Sequence, residues 1–152
     1  MSFEGLLRAR AIERVEVTDR EIAELLAVAR RDIRVASAMT TTDLDWAFAI
    51  AYNAILQLSI AYMNSLGYRP RGEGNHYHTF RFMAEALPDD SAMIRRLQKL
   101  RKKRNATIYE TPGLVSEKEA RDVIDFAGRY YEEIRSKLPV AVIRHELNED
   151  PS

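Results

Sequence analysis

The chain has 152 residues with 23 basic and 23 acidic side chains, and it contains no cysteine. This length fits one domain that can bury a core, and the missing cysteines exclude disulfides, zinc–thiolate sites and a thiol nucleophile. A formal net charge of zero gives no whole-chain attraction to nucleic acid or membrane, so any basic site must be local. Because the first residues are charged and lack the apolar core of a secretory signal, we expect a cytoplasmic protein.

The first predicted helix begins after a separate N-terminal segment, residues 1–17. Thr18 and Glu21 have the spacing of a capping box, in which a hydroxyl and a glutamate satisfy free amides at a helix start. Apolar residues then recur at three- and four-residue steps as far as Ala36, which predicts one buried stripe. The threonines at 40–42 break this helix.

The second predicted helix begins at a cap formed by Thr42 with Asp45, extends to about Leu66, and is apolar almost all round. Four polar side chains interrupt it, so we expect a buried helix rather than a membrane span. A second copy of the chain would cover part of this surface, which predicts a homodimer through Trp46 to Leu66. The alternative is that other helices of the same chain surround it.

Three further helices follow at clear breaks. Gly67 and a Pro/Gly-rich loop precede a short third helix over His76 to Leu87. The fourth helix extends from Ala92 to about Tyr109, where Thr-Pro-Gly ends it, and a second capping box at Ser116 opens the fifth. The predicted fold class is therefore all-α: a bundle of four helices plus a fifth, in an up-down arrangement over residues 18–138, with no strand and with a loosely ordered tail at 139–152.

Two arginines interrupt the apolar side of the fourth predicted helix. At about 100° per residue, Arg101 and Arg104 share an arc with the apolar residues of that helix, with Asn105 and Tyr109 at its edge. Burying a guanidinium group without a partner is costly, so these arginines need carboxylates, a half-exposed cleft or an anionic ligand.

Two explanations follow for these arginines. The first is internal pairing with acids such as Asp43, Asp45 or Asp125. The second is a phosphate site, which we favour because two forked donors, an amide and a phenol on one face suit an oxygen-rich anion. Lys102 is a further candidate ligand-binding residue, although a run of lysines alone is typical of a solvated helix face.

The segment from Arg101 to Tyr109 resembles the signature helix of HEPN domains. That motif has an arginine, usually a polar residue next, and a histidine four to six residues on; Arg104 and Asn105 match the first two positions. The resemblance extends upstream through the long second helix, the glycine-containing turn and the histidine-bearing start of the third helix. It covers roughly residues 18 to 138.

This resemblance implies a metal-independent, cofactor-free homodimeric ribonuclease, in which arginine and histidine from both chains assist attack of an RNA 2′-hydroxyl on its own phosphate. Arg104 would stabilise the charge of the phosphorane and Asn105 would orient it. Tyr109 stands at the best-aligned histidine position. Its unperturbed pKa of about 10 makes it a poor general base at neutral pH, although it can donate a hydrogen bond.

His76 and His78 lie two positions apart, which does not bring them together on a helix, so we predict no metal pair. We expect both to cap or line the third helix. The alternative is that one of them reaches the cleft, binds ligand there and replaces the missing base.

Three functions remain open. The first is binding of RNA or nucleotide through Arg101, Arg104 and Asn105, as part of a toxin–antitoxin or nucleotidyltransferase-linked system. The second is a ribonuclease toxin in which Tyr109, with one of the two histidines, does the work of the usual histidine. The third is a helical interaction domain whose arginines only hold the fold or dimer together.

Overall fold

The computed structural model describes residues 3–72, 75–106 and 113–149, which form seven helices and one pair of short strands. In chain order these are α1 (Glu4–Arg8), β1 (Ile12–Arg14), α2 (Asp19–Met39), α3 (Leu44–Ser65), β2 (Tyr68–Pro70), α4 (Asn75–Ala86), α5 (Ser91–Asn105), α6 (Glu117–Lys137) and α7 (Val140–Glu149). The all-α class is confirmed. The first to fifth predicted helices correspond to α2 to α6.

Both predicted capping boxes are present. The Thr18 hydroxyl accepts a hydrogen bond from the Glu21 amide, and the Ser116 hydroxyl accepts one from the Glu119 amide, each at 3.1 Å. The cap predicted at Thr42 is wrong by one residue. Asp43 caps α3 by accepting from the Trp46 amide at 3.0 Å, because a carboxylate at this position reaches the free amides directly.

Helix α3 lies at the centre of the bundle. Thirteen of its residues are buried, and α2, α4, α5 and α6 pack around it. It is long and apolar enough to cross a membrane, but 67% of its most apolar 18-residue window is buried inside the protein. Helices of the same chain therefore cover most of this surface, as the alternative explanation had it, while Trp46 at its first turn is 60% exposed.

Two of the polar side chains that interrupt α3 have partners on neighbouring helices. The Asn53 amide donates to the Asp32 carboxylate of α2 at 2.9 Å, and the Ser59 hydroxyl lies 2.7 Å from the Tyr130 hydroxyl of α6. These bonds satisfy buried polar groups and hold α3 against both neighbours.

The N-terminal segment is part of the fold, and the prediction that no strand occurs is wrong. Strands β1 and β2 pair antiparallel, with Ile12 opposite Pro70. Three residues are too few to show the alternation by which a strand is recognised in sequence. Phe3 then stacks on Phe82 of α4, with ring centroids 4.3 Å apart. This contact helps to fix α4, which carries part of the candidate site.

Residues 140–149 of the predicted tail form a docked helix instead of a loosely ordered segment. Helix α7 packs against α2, and its Glu146 is fully buried. The Glu146 carboxylate accepts hydrogen bonds from the Tyr131 hydroxyl and from Arg135 Nε, the latter at 2.8 Å. From sequence alone, an acidic residue at this position is expected to be exposed to solvent. The burial of Glu146 is favourable because of these two partners, which are distant in sequence.

Candidate functional site between α3, α4 and α5

Helix α4 begins at the rim of the bundle. Its later residues Phe80, Phe82 and Met83 are fully buried and anchor the helix. The first turn, held by a 2.7 Å hydrogen bond from the Thr79 hydroxyl to a backbone carbonyl, is less buried. His76 is half-buried there.

Helix α5 contributes the arginines. Leu97 is its one fully buried residue among those described, while Met93, Ile94 and Leu100 are partly buried against the core. Arg101 and Arg104 are half-buried on the side of α5 that faces α3 and α4. The predicted interruption of an apolar face by two arginines is therefore observed, in a half-exposed setting.

The arginines meet aromatic and histidine side chains from the other two helices. The guanidinium carbon of Arg104 lies 5.6 Å from the ring centroid of Tyr52, and that of Arg101 lies 5.3 Å from the ring centroid of Tyr77. The Tyr52 hydroxyl is 3.5 Å from His76 Nδ1. We call these five residues, Tyr52, His76, Tyr77, Arg101 and Arg104, the Arg–His cluster.

Within the described residues, internal ion pairing does not account for Arg101. Its Nε donates to the side-chain oxygen of Gln98 at 3.1 Å, and no carboxylate among the described residues lies within ion-pair distance of it. The acids proposed as partners are placed elsewhere: Asp43 caps α3, and Asp45 accepts from the Gly113 amide at 2.5 Å. Asp125 is exposed on α6.

On the opposite face of α5, the described cations have partners on α6. Lys103 forms a 2.9 Å ion pair with Glu119 of α6, and Arg96 donates to the Asp122 carbonyl at 3.2 Å. Arg96 also lies over the ring of Phe126 at 4.8 Å. These contacts join α5 to α6, so the cations of this face have a structural role.

Protonation in the Arg–His cluster follows from its burial and charge. Burial, followed by the positive charges of Arg104 and Arg101, lowers the pKa of His76 below its usual 6.5. Burial also raises the pKa of Tyr52, and the two arginines oppose that shift. At neutral pH His76 is therefore uncharged and Tyr52 keeps its proton.

Three further predicted site residues, Lys102, His78 and Asn105, are described by the structure and are not members of the cluster. Lys102 is exposed, and its side chain forms no hydrogen bond or ion pair with another described residue. His78 turns its Nδ1 inward, where it has no hydrogen-bond partner among the described side chains and backbone, so it does not join His76. Asn105 is the half-buried last residue of α5. Tyr109 belongs to residues 107–112, outside the described residues.

Two members of the cluster, Tyr52 and Tyr77, are not site residues in the sequence-based prediction. Tyr52 is 1% exposed and lies in the core, yet its ring faces Arg104. A helical wheel shows which residues share one side of a helix, and it cannot join positions on three different helices. Predicting Tyr52 and Tyr77 as site residues requires knowing that α3, α4 and α5 pack together, and the sequence pattern does not show this.

Over the described part of the chain, no group of three or more His, Asp or Glu side chains is arranged to hold a metal ion. Comparison with protein-family models and with curated proteins gives no match for this sequence.

Proposed function

We propose that this protein binds RNA or nucleotide through the phosphate groups, at a basic cleft formed by α5 against α3 and α4. The observation that carries this proposal is the convergence of Arg101, Arg104 and His76, with no described carboxylate in ion-pair distance of Arg101. The match of Arg104 and Asn105 to the signature of HEPN domains points to the same place.

The chemistry of the cluster favours an anion. Two half-buried guanidinium groups repel each other, and together with burial, which is the larger cause, they lower the pKa of His76. A phosphate would accept hydrogen bonds from both arginine forks and offset their charge. Tyr52 stays protonated and can donate one more hydrogen bond.

The proposal extends to partners. By the HEPN resemblance the chain is a cytoplasmic homodimer that pairs through the region Trp46 to Leu66, within a toxin–antitoxin or nucleotidyltransferase-linked system. The 60% exposure of Trp46 supports a contact at the start of α3. Sedimentation of the wild type and of Trp46→Glu tests it: we expect a dimer that the substitution dissociates, and a wild type that stays monomeric at high concentration would refute it.

Binding is tested by fluorescence anisotropy with labelled single-stranded RNA in a chelating buffer at two salt concentrations. We expect affinity that falls as salt rises, and that falls further in Arg104→Ala. Arg95→Ala is the matched control, because Arg95 is an exposed arginine of the same helix. Competition by adenosine monophosphate separates a mononucleotide ligand from RNA. Equal binding by Arg104→Ala and Arg95→Ala would refute the proposal.

A second candidate, RNA cleavage, is favoured by the position of His76. A neutral imidazole beside two arginines has the properties of a general base. With its proton on Nδ1 and donated to the Tyr52 oxygen, Nε2 keeps a free lone pair. It would take the proton of a 2′-hydroxyl whose oxygen attacks the adjacent phosphorus. The bond to the 5′ oxygen breaks, solvent protonates that oxygen, and a 2′,3′-cyclic phosphate remains.

This second candidate has its own test. Wild-type protein in a chelating buffer should convert single-stranded RNA to fragments with cyclic phosphate ends. His76→Gln should lose cleavage while it keeps RNA affinity, and His78→Gln is the control, since His78 lies outside the cluster. RNA that is bound but left intact by the wild type would limit the function to binding.

A further inference from the structure

Tyr77 is placed unlike the tyrosines of the core. It is 44% exposed, whereas Tyr52 and Tyr130 are each 1% exposed. Burial of a tyrosine ring is one of the larger contributions a side chain makes to stability, and Tyr77 contributes little of it. The ring lies on the first turn of α4 next to His76, at the open side of the Arg–His cluster.

Two guanidinium groups lie beside this exposed ring. The guanidinium carbon of Arg101 is 5.3 Å from the Tyr77 centroid, and that of Arg81, one turn further along α4, is 5.8 Å from it. Cation–π attraction holds the ring and the arginines together at the surface. Arg101 therefore belongs to the phosphate-binding pair and also contacts the ring.

These contacts place an aromatic face one side chain away from the proposed phosphate position. In a nucleotide, the base is separated from its phosphate by one ribose. Every base has a π-face that stacks on tyrosine or on a guanidinium plane, and the bases of a single strand are free to do so. In a duplex the bases are already stacked and paired.

We propose that Tyr77 is a stacking platform for one nucleobase of a ligand whose phosphate is held by Arg101 and Arg104. The ligand then carries an unpaired base, as single-stranded RNA does, and is neither a bare phosphate nor a double-stranded RNA. This inference rests on the proposed function and adds the part of the site that recognises the base.

The test uses two labelled RNA oligomers of equal length, one with 2-aminopurine at its centre and one with an abasic ribose there. Wild type should bind the base-containing oligomer about tenfold more tightly and quench its fluorescence, in keeping with the usual contribution of one stacked base. Tyr77→Leu should lose both differences, and Tyr77→Phe should keep them. Affinity for the abasic oligomer should be the same in all three proteins.

The outcomes separate this inference from the proposed function. If wild type and Tyr77→Leu bind both oligomers alike while Arg104→Ala binds neither, the phosphate site stands and the platform is refuted. If the wild type binds neither oligomer, the proposed function and the platform both fail. Circular dichroism of each variant establishes that the helices are intact.

Discussion

Arg135 and Arg101 are both half-buried arginines on helices, but their side chains have different kinds of partner. Arg135 donates to the fully buried carboxylate of Glu146, which also accepts from Tyr131. Arg101 has an amide oxygen and an exposed aromatic ring beside it. Arg135 is thus paired with a carboxylate that is buried with it, whereas no carboxylate of the described residues pairs with Arg101.

The first prediction concerns a substitution that removes the Glu146 carboxylate, which pairs with Arg135. Glu146→Gln leaves Arg135 without its anion and should lower the free energy of unfolding by about 2–3 kcal/mol, somewhat below the usual loss for a broken buried pair because Arg135 is partly exposed. Urea unfolding measures the change. Asp125→Asn, an exposed acid of α6, should change it by less than about 0.5 kcal/mol. Equal stability of the two variants would mean that Glu146 does not hold α7.

The second prediction concerns the cluster itself. Arg104→Ala should weaken binding of single-stranded RNA by at least about tenfold, equivalent to about 1.4 kcal/mol, because one forked phosphate donor is lost. Anisotropy titration measures it. Arg135→Ala should leave RNA affinity unchanged while it lowers stability, and an equal loss of affinity in both variants would erase the distinction between the two regions.

The third prediction concerns the stability of the protein when Arg101 of the cluster is removed, where we expect only a small loss. Arg101→Ala should lower the free energy of unfolding by less than about 1 kcal/mol, since it removes an exposed cation–π contact and relieves repulsion from Arg104. Urea unfolding beside Glu146→Gln compares the two regions directly. A loss as large as that of Glu146→Gln would assign Arg101 a structural role.

The smallest expected effect is the pH dependence that comes from His76. Its pKa in the folded protein lies below the usual 6.5, so its contribution to stability is present above pH 6.5 and is lost as pH falls through the lowered value. Relative to His76→Gln, the wild type should therefore lose stability on acidification below pH 6.5, and urea unfolding at several pH values measures this. A relative gain would show that the pKa is raised instead.

Local patterns predict much of this fold. The capping boxes at Thr18 and Ser116 and the apolar stripes of α2 and α6 depend on residues within a few positions, so their helices are correctly predicted. The docking of α7 depends on Glu146 meeting Tyr131 and Arg135, which a local pattern does not contain.

Of the candidate site, too, local patterns predict one part and tertiary packing determines the rest. Arg101 and Arg104 stand out because both interrupt the apolar side of one helix, which periodicity shows. Tyr77 and Tyr52 become relevant only when α4 and α3 are packed against α5. The sequence leaves open which of the two histidines reaches the cleft, and tertiary packing brings His76, rather than His78, to the arginines.

The central claim, that the Arg–His cluster is a ligand site, is tested most directly by NMR titration of the labelled protein with single-stranded RNA. The side-chain signals of His76, Arg101 and Arg104 should shift together in a saturable manner, and the pKa of His76 should rise when the phosphate binds, since an anion favours the imidazolium form. The signals of Arg135 should stay in place. Saturable shifts confined to other parts of the protein, or no shift at all, would contradict the claim.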